Sequence, residues 1–212
     1  MKSDLDDLMR KTRSYWYEDG LVETLAGLFF LTVCAWLLLD WSTASDAPYK
    51  WIFAPGLILL VLPWAFGARR VVDWFKQRIT YPRTGYVAYQ RPPRRSKLPR
   101  AVLAGVVSAA VAIAIVAGLQ YRQEIVRVIP ILLGGGVAVL LVRVGGDLNL
   151  PRFYVQAIWS LAAGFFLSWL TADMALAIAL YYGLLGAGVV VAGVVTLIRY
   201  LRAAAQEAGN AD

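Results

Sequence analysis

A strongly basic stretch, residues 68–100, lies between long apolar runs and constrains how this chain can fold. It holds ten Lys and Arg residues against one acid, Asp73, which gives it a formal charge of +9. A basic loop between transmembrane segments stays in the cytoplasm and fixes the orientation of its neighbours. The ten cations are Arg69, Arg70, Lys76, Arg78, Arg83, Arg91, Arg94, Arg95, Lys97 and Arg100.

The composition points to a membrane protein. Apolar residues make up 59% of the 212 residues and charged residues 17%, whereas globular domains average roughly 45–50% and 25%. The formal charge of +7 is concentrated in the basic stretch, which favours anionic lipid headgroups over nucleic acid as its partner. The chain has no histidine, and so lacks the commonest general base and transition-metal ligand.

Six apolar segments predict an all-α integral membrane protein with six transmembrane spans. The predicted spans are 21–39, 51–67, 101–119, 128–144, 153–171 and 174–198. The second is interrupted by Pro55 and Pro63, and both it and the fourth are short, so a re-entrant path remains open for these two. The predicted organisation is an amphipathic N-terminal segment at 1–20, a hairpin of two spans at 21–67, the basic loop at 68–100, a four-span bundle at 101–198 and a tail at 199–212.

The distribution of positive charge sets the predicted orientation. With six spans, 18 of the 21 Lys and Arg residues fall on the side of the basic loop. The three on the other side are Lys50, Arg122 and Arg127. This asymmetry predicts that both chain termini are cytoplasmic.

Small residues recur at helical spacing within the predicted spans, and they predict close helix packing. The sixth span carries Ala175, Ala179, Gly183 and Ala187, and the fifth carries Ser160, Gly164 and Ser168. The triplet 134–136 in the fourth span allows a second interpretation, a hinge or a backbone that faces a solute.

No motif predicts catalysis or a cofactor. A glycine-rich phosphate loop, a nucleophile elbow and a metal-ligand cluster are all missing from the sequence, so we predict a protein that is not an enzyme. The adjacent acids Glu18 and Asp19 suit the start of a helix better than paired-carboxylate chemistry. Glu23, in the first turn of the first span, is expected to reach water. Ionisable residues are rare within the spans, which argues against an ion pathway.

Part of the basic loop has the pattern of an ordered turn. Residues 79–81 and 86–89 are rich in β-prone aromatics, and they flank the turn sequence Pro-Arg-Thr-Gly. This predicts a short β-hairpin or an ordered turn. We further predict that the acidic segment 15–23 docks on the turn at 80–86, although contact of each segment with headgroups and water alone is a close alternative. The residues assigned to this docking are Trp16, Glu18, Asp19, Tyr81 and Tyr86, with Arg78 and Arg83 as partners of the acids.

The sequence TYPRTGYV in the loop, together with YWYEDGL before the first span, resembles a group of uncharacterised prokaryotic multi-pass membrane proteins. Those proteins have a similar aromatic–Pro–Arg–x–Gly–Tyr loop. The resemblance implies a location in the prokaryotic inner membrane and brings no known activity.

These observations together favour a non-catalytic membrane scaffold, accessory or regulatory subunit. Its basic loop would engage anionic lipid or an acidic partner, which could be another membrane protein or a second copy of the chain. The alternative is a small transporter or channel for a neutral or lipid-like solute that passes near 134–136. A continuous cavity would favour transport, and a tightly filled bundle would favour the scaffold.

Overall fold

The structure is a computed structural model and describes residues 17–79, 127–171 and 173–209. This part of the chain is about 89% helical and contains no strand, so the predicted all-α class is confirmed for it. The helices are α1 (Leu21–Ser42), a short 3-10 helix (Lys50–Ile52), α2 (Phe53–Ile79), α3 (Val128–Leu148), α4 (Arg152–Leu170) and α5 (Met174–Gly209).

Four helices are long and apolar enough to cross a membrane: α1, α3, α4 and the Met174–Ala203 part of α5. They correspond to four of the six predicted spans and identify a helical membrane protein. The second predicted span matches only a shorter apolar stretch, Lys50–Trp64, below the ~20 residues that cross a bilayer without distortion. The third, 101–119, lies outside the described residues.

Helix α2 extends further than the sequence predicted. It continues from the apolar part through Ile79 with Pro63 inside it, so residues 68–79 are helical where a loop was expected. The physical reason is a buried face: Val72 and Lys76, one turn apart, are both buried, while Arg70 and Trp74 are exposed. Amphipathic packing therefore holds a highly charged segment in a helix.

The chain divides into two compact units. The first comprises Met1–Tyr89 and Tyr182–Asp212, and the second comprises Gln90–Tyr181. Helix α5 thus contributes residues to both units. One buried hydrophobic cluster of the first unit consists of Leu21, Leu25 and Val72, against which Val22, Trp64, Phe75 and Leu197 pack.

In the first unit, α1 and α5 approach closely at two pairs of glycines. A Cβ added at Gly27 would lie 2.8 Å from the carbonyl oxygen of Gly186, and one added at Gly193 would lie 2.8 Å from that of Gly20. The pairs Gly20–Gly193 and Gly27–Gly186 run in opposite chain directions, so the two helices are antiparallel. Neither pair was predicted as a contact.

The packing stripe predicted for α5 is only partly correct. Ala179 is fully buried and Gly183 lies against the sulfur of Cys34, but Ala175 and Ala187 are exposed. The buried face turns instead toward Gly186 and its partner helix α1.

The connection between α1 and α2 is held by side chains at its two ends. Lys50 Nζ lies 2.8 Å from Asp40 Oδ1 and also donates to the carbonyl of Asp40. Trp36 Nε1 donates to the carbonyl of Phe53 at 3.0 Å, and its ring covers Gly56. These contacts fix α2 beside α1.

In the second unit, α3 and α4 pack through the small residues that the sequence predicted for α4. Ser160, Gly164 and Ser168 are all buried. A Cβ added at Gly134 would lie 2.7 Å from the carbonyl oxygen of Ser160 and 3.3 Å from the Cα of Gly164. Helix–helix packing is therefore the role of Gly134.

Hydroxyl groups join three helices in this unit. Ser160 Oγ donates to the carbonyl of Gly134 at 3.0 Å, and Tyr181 Oη donates to that of Leu133 at 3.3 Å. The two hydroxyl oxygens are 2.8 Å apart. Two hydroxyl protons serve these three contacts, so at most two hydrogen bonds form at once.

Candidate functional site: a buried ion pair at the base of the basic loop

The residues before α1 turn sharply inward and place an acid inside the first unit. Gly20 has a φ of +70° and precedes the first residue of α1. This left-handed conformation favours glycine, as does the close approach of Gly193. Next to it, Asp19 is 2% exposed, and its Oδ1 accepts a hydrogen bond from the backbone N–H of Leu21 at 3.2 Å.

The partner of this acid comes from the end of α2. Lys76 lies one turn beyond Val72 on the buried face of the helix and is 2% exposed. Its Nζ lies 2.9 Å from Oδ2 of Asp19, within hydrogen-bonding distance. The two carboxylate oxygens of Asp19 therefore divide their roles: one accepts from the backbone of α1 and the other binds the ammonium of Lys76.

The pair is held together by the cost of separating its charges. Transfer of each ion out of water costs several kcal/mol, and the mutual attraction offsets this only in good geometry. Removal of one partner leaves a buried charge without its counterion, which typically destabilises a protein by about 3–5 kcal/mol. The contact thus strongly links the segment before α1 to the last turn of α2.

Glu23 is a second buried acid near this pair in sequence. It lies in the first turn of α1, one turn after Asp19, and is 3% exposed. The prediction that its carboxylate reaches water is wrong, because the side chain is packed inside the unit. Its position in the first turn is favourable for a carboxylate, since the helix N-terminus carries partial positive charge.

The structure places the other described members of the predicted sites on the surface. Arg70, Arg78 and Glu18 are exposed. The guanidinium of Arg78 lies over the ring of Trp74, 4.5 Å from its centroid, where a cation–π contact forms. Arg69 belongs to α2, and its side chain is not among those described.

The remaining predicted site residues lie outside the described part of the chain. They are Trp16, Tyr81, Arg83, Tyr86, Arg91, Arg94, Arg95, Lys97 and Arg100. The predicted docking of 15–23 on 80–86 therefore stays a prediction, as does the hairpin. What the structure brings together is Asp19, assigned to docking, and Lys76, assigned to lipid or partner binding.

Sequence reasoning missed this pairing because Lys76 was one cation among ten. The four-residue spacing from Val72 marks a helical face that includes Lys76, but it does not identify Asp19 as the partner. As a buried residue, Lys76 directs its charge at Asp19 and not at lipid headgroups.

Within the described part of the chain, the buried pair does not form a catalytic arrangement or a metal site. Both members of the pair are almost inaccessible, so neither can meet a substrate in this arrangement. Across residues 17–79, 127–171 and 173–209, no group of three or more His, Cys, Asp or Glu side chains could hold a metal ion.

Comparison of the chain with protein-family models, with curated proteins and with solved structures found no match.

Proposed function

We propose that this chain is a non-catalytic scaffold, accessory or regulatory subunit of the prokaryotic inner membrane. In this proposal its N-terminal segment clamps the helix from which the basic inner loop emerges. The carrying observation is the buried contact between Asp19 and Lys76. Lys76 lies four residues before position 80, where the rest of the basic loop begins.

The contact between Asp19 and Lys76 fixes the end of the helix that precedes the rest of the loop. Residues 80–100 contain six Lys and Arg residues and no acid, so this part alone carries a formal charge of +6. Because α2 is fixed at its last turn, the described helix ends at a fixed point before the rest of the loop. Exposed Arg70 and Arg78 add cations on the helix itself. A concentrated cationic surface of this kind attracts anionic lipid or an acidic protein partner.

The proposed threading is six spans with both termini cytoplasmic. Four long apolar helices support it, and α2 and the apolar segment 101–119 would complete the set. The split of 18 to 3 in Lys and Arg residues supports the orientation.

The loop proposal is tested by a double substitution in the full chain. Arg94→Gln with Arg95→Gln removes two of the loop cations, and Arg122→Gln with Arg127→Gln removes two on the proposed outer side. A cation near an anionic leaflet contributes about 1 kcal/mol, so the first double variant should bind anionic lipid up to roughly 30-fold more weakly at low salt. Native mass spectrometry with phosphatidylglycerol measures the difference.

The comparison between the two double variants decides whether the loop binds the lipid. The outer variant should retain phosphatidylglycerol within about twofold of the unmodified chain, and added salt should weaken the loop-dependent binding. Equal losses in both variants would show that binding follows total charge and does not depend on the loop.

A second candidate function, transfer of a lipid-like solute near 134–136, has one observation in its favour. A Cβ added at Gly135 would meet no atom within 4 Å, in contrast to the packed Gly134. Vesicles that contain the protein should then exchange a fluorescent phospholipid between leaflets faster than empty vesicles, and Gly135→Leu should abolish the gain. No gain with the unmodified chain would leave the scaffold function alone.

A further inference from the structure

The outward side of α2 carries a tryptophan between two arginines. Arg70, Trp74 and Arg78 follow one another at four-residue spacing, which places them along one side of the helix, and all three are exposed. The guanidinium of Arg78 lies over the ring of Trp74, 4.5 Å from its centroid, so one cation is held against the aromatic surface. Neither arginine is part of an ion pair that the described residues form. We call these three residues the Arg–Trp–Arg face.

The buried ion pair decides which side of α2 faces outward. In a helix with 3.6 residues per turn, positions two apart lie on nearly opposite sides. Lys76 is directed at Asp19 inside the first unit. Trp74 and Arg78, two residues before and after Lys76, therefore point away from that unit, and Trp74 is 48% exposed. Tryptophan is highly buried on average in globular proteins, whereas in membrane proteins it is enriched where the protein meets the headgroups.

The spacing of two exposed tryptophans along this part of the chain matches the thickness of a bilayer. Trp51 is 72% exposed and lies two positions before Phe53, the first residue of α2. From Phe53 to Trp74 the helix rises about 32 Å at ~1.5 Å per residue, and the hydrocarbon core is ~30 Å thick. In the proposed threading, in which α2 crosses the membrane, Trp51 then lies at the outer interface and Trp74 at the inner one.

We propose that the Arg–Trp–Arg face binds anionic phospholipid of the inner leaflet, with the ring of Trp74 at the level of the headgroups. Arg78 binds a lipid phosphate through paired hydrogen bonds. Arg70 lies one turn deeper, and its long stem allows the guanidinium to reach the interface. Anionic lipids of this leaflet attract juxtamembrane cations. Asp73, the one acid in α2, is half-buried and leaves the two exposed arginines in excess.

The inference rests on the proposed function, because it names the lipid class and a binding surface within the same basic region. It differs in placing that surface on the helix, ahead of residues 80–100. The order of events also differs, since the ion pair would orient a lipid-binding face and not only the start of a loop.

The first test removes the cations of the face in the full chain. Arg70→Gln with Arg78→Gln should weaken retention of phosphatidylglycerol in native mass spectrometry at least about fivefold, which is the effect of one cation near an anionic leaflet. Arg199→Gln with Arg202→Gln is the matched control, because these are exposed cations of α5 with no tryptophan within one turn. The control should retain the lipid as the unmodified chain does. Equal losses in the two double variants would overturn the inference.

The same measurement separates this inference from the loop proposal. Loss of phosphatidylglycerol in the Arg94→Gln, Arg95→Gln variant alone would overturn the inference and leave the proposed function standing. Loss in the Arg70→Gln, Arg78→Gln variant alone would support the inference and overturn the assignment of lipid binding to residues 80–100.

A second test measures the depth of Trp74 directly, by fluorine NMR of the full chain labelled with fluorinated tryptophan. The resonances that disappear in Trp74→Phe and in Trp64→Phe belong to these two residues. Trp64 is the internal control, because it packs on a buried cluster and lies about 15 Å before Trp74 along the helix.

In vesicles of phosphatidylglycerol and phosphatidylcholine, a phospholipid with a nitroxide on its headgroup should broaden the resonance of Trp74 and leave that of Trp64 unchanged. Absence of broadening at Trp74 would overturn the inference. Broadening of Trp74 by a water-soluble paramagnetic complex alone would also overturn it, since the face would then be open to water or to an acidic protein partner.

Discussion

The ammonium of Lys76 lies 2.9 Å from the carboxylate of Asp19, and each side chain is only 3% exposed. Two segments separated by more than fifty residues are thus joined by opposite charges inside the first unit. Because both side chains are almost inaccessible to water, the contact depends on both charges being present.

Loss of one charge of this pair should destabilise the protein. We expect Lys76→Met to lower the free energy of unfolding by about 3–5 kcal/mol, because it removes the ammonium that faces the buried carboxylate of Asp19. Thermal unfolding in detergent, followed by circular dichroism, measures the change. Arg70→Met is the matched control, since Arg70 is an exposed cation on the same helix, and it should change the free energy by less than about 0.5 kcal/mol.

A charge exchange separates the pair from the single residues. The single variants Asp19→Lys and Lys76→Asp should each expose the loop at 80–100 to protease faster, because the last turn of α2 loses its anchor. The double variant restores opposite charges and should recover part of the protection. If the double variant is cleaved at the rate expected from adding the two single effects, the two residues are not energetically coupled.

Close packing of α1 on α5 should make Gly27 and Gly186 intolerant of side chains. Gly27→Ala places a Cβ 2.6 Å from the backbone nitrogen of Val190, so the helices must move apart. Overpacking of this kind costs about 1–3 kcal/mol and should outweigh the gain in helix propensity of about 1 kcal/mol. Gly67→Ala is the control, because its Cβ meets no atom within 4 Å, and it should be neutral or stabilising. A stabilising effect of Gly27→Ala would contradict the close approach of α1 to α5.

The hydroxyls of Ser160 and Tyr181 should behave as one unit. Ser160→Ala and Tyr181→Phe each remove one of the two hydroxyl protons that form these hydrogen bonds. Interhelical hydrogen bonds in membranes contribute on average about 0.6 kcal/mol to stability. Their combined effect on the unfolding midpoint should differ from the sum of the separate effects, because the hydroxyls are 2.8 Å apart. Tyr49→Phe, at an exposed position, serves as the control. Strict additivity would mean that the hydroxyls act independently.

The proposed threading predicts which positions reach the outside of the membrane. In a chain with Cys34→Ala, single cysteines at Ser45 and Gln123 should react with an impermeant reagent added to intact cells. A cysteine at Thr84 should react only after the membrane is opened. Labelling of the Thr84 position from outside would reverse the orientation assigned to the basic loop.

Sequence reasoning reached the class of protein and part of its packing. Apolar runs identified the helices, because crossing hydrocarbon demands length and hydropathy that the sequence carries locally. The stripe of Ser160, Gly164 and Ser168 on α4 was also found, since it is the only small-residue face in its segment. On α5 several small-residue faces compete, and only the partner helix selects Gly186 and Gly193.

The ion pair could not be predicted for a different reason. Lys76 has the same local sequence features as its exposed neighbours, and its burial depends on packing of α2 against residues far away in the chain. The high charge density suggested a loop. In the structure Val72 and Lys76 are buried while Trp74 and Arg78 are exposed, and packing of the buried face holds the segment in a helix. Long-range contacts therefore decided both the secondary structure and the partner.

The two glycine pairs also restrict how α1 and α5 can move against each other. Gly20 and Gly27 are seven residues apart, as are Gly186 and Gly193, so each helix offers two notches separated by about two turns. A shift of one turn along the axis would replace Gly27 by Glu23 opposite Gly186, at a position where even a Cβ added at Gly27 would lie 2.8 Å from the carbonyl oxygen of Gly186. The two helices can therefore separate, but they resist sliding past each other along their axes.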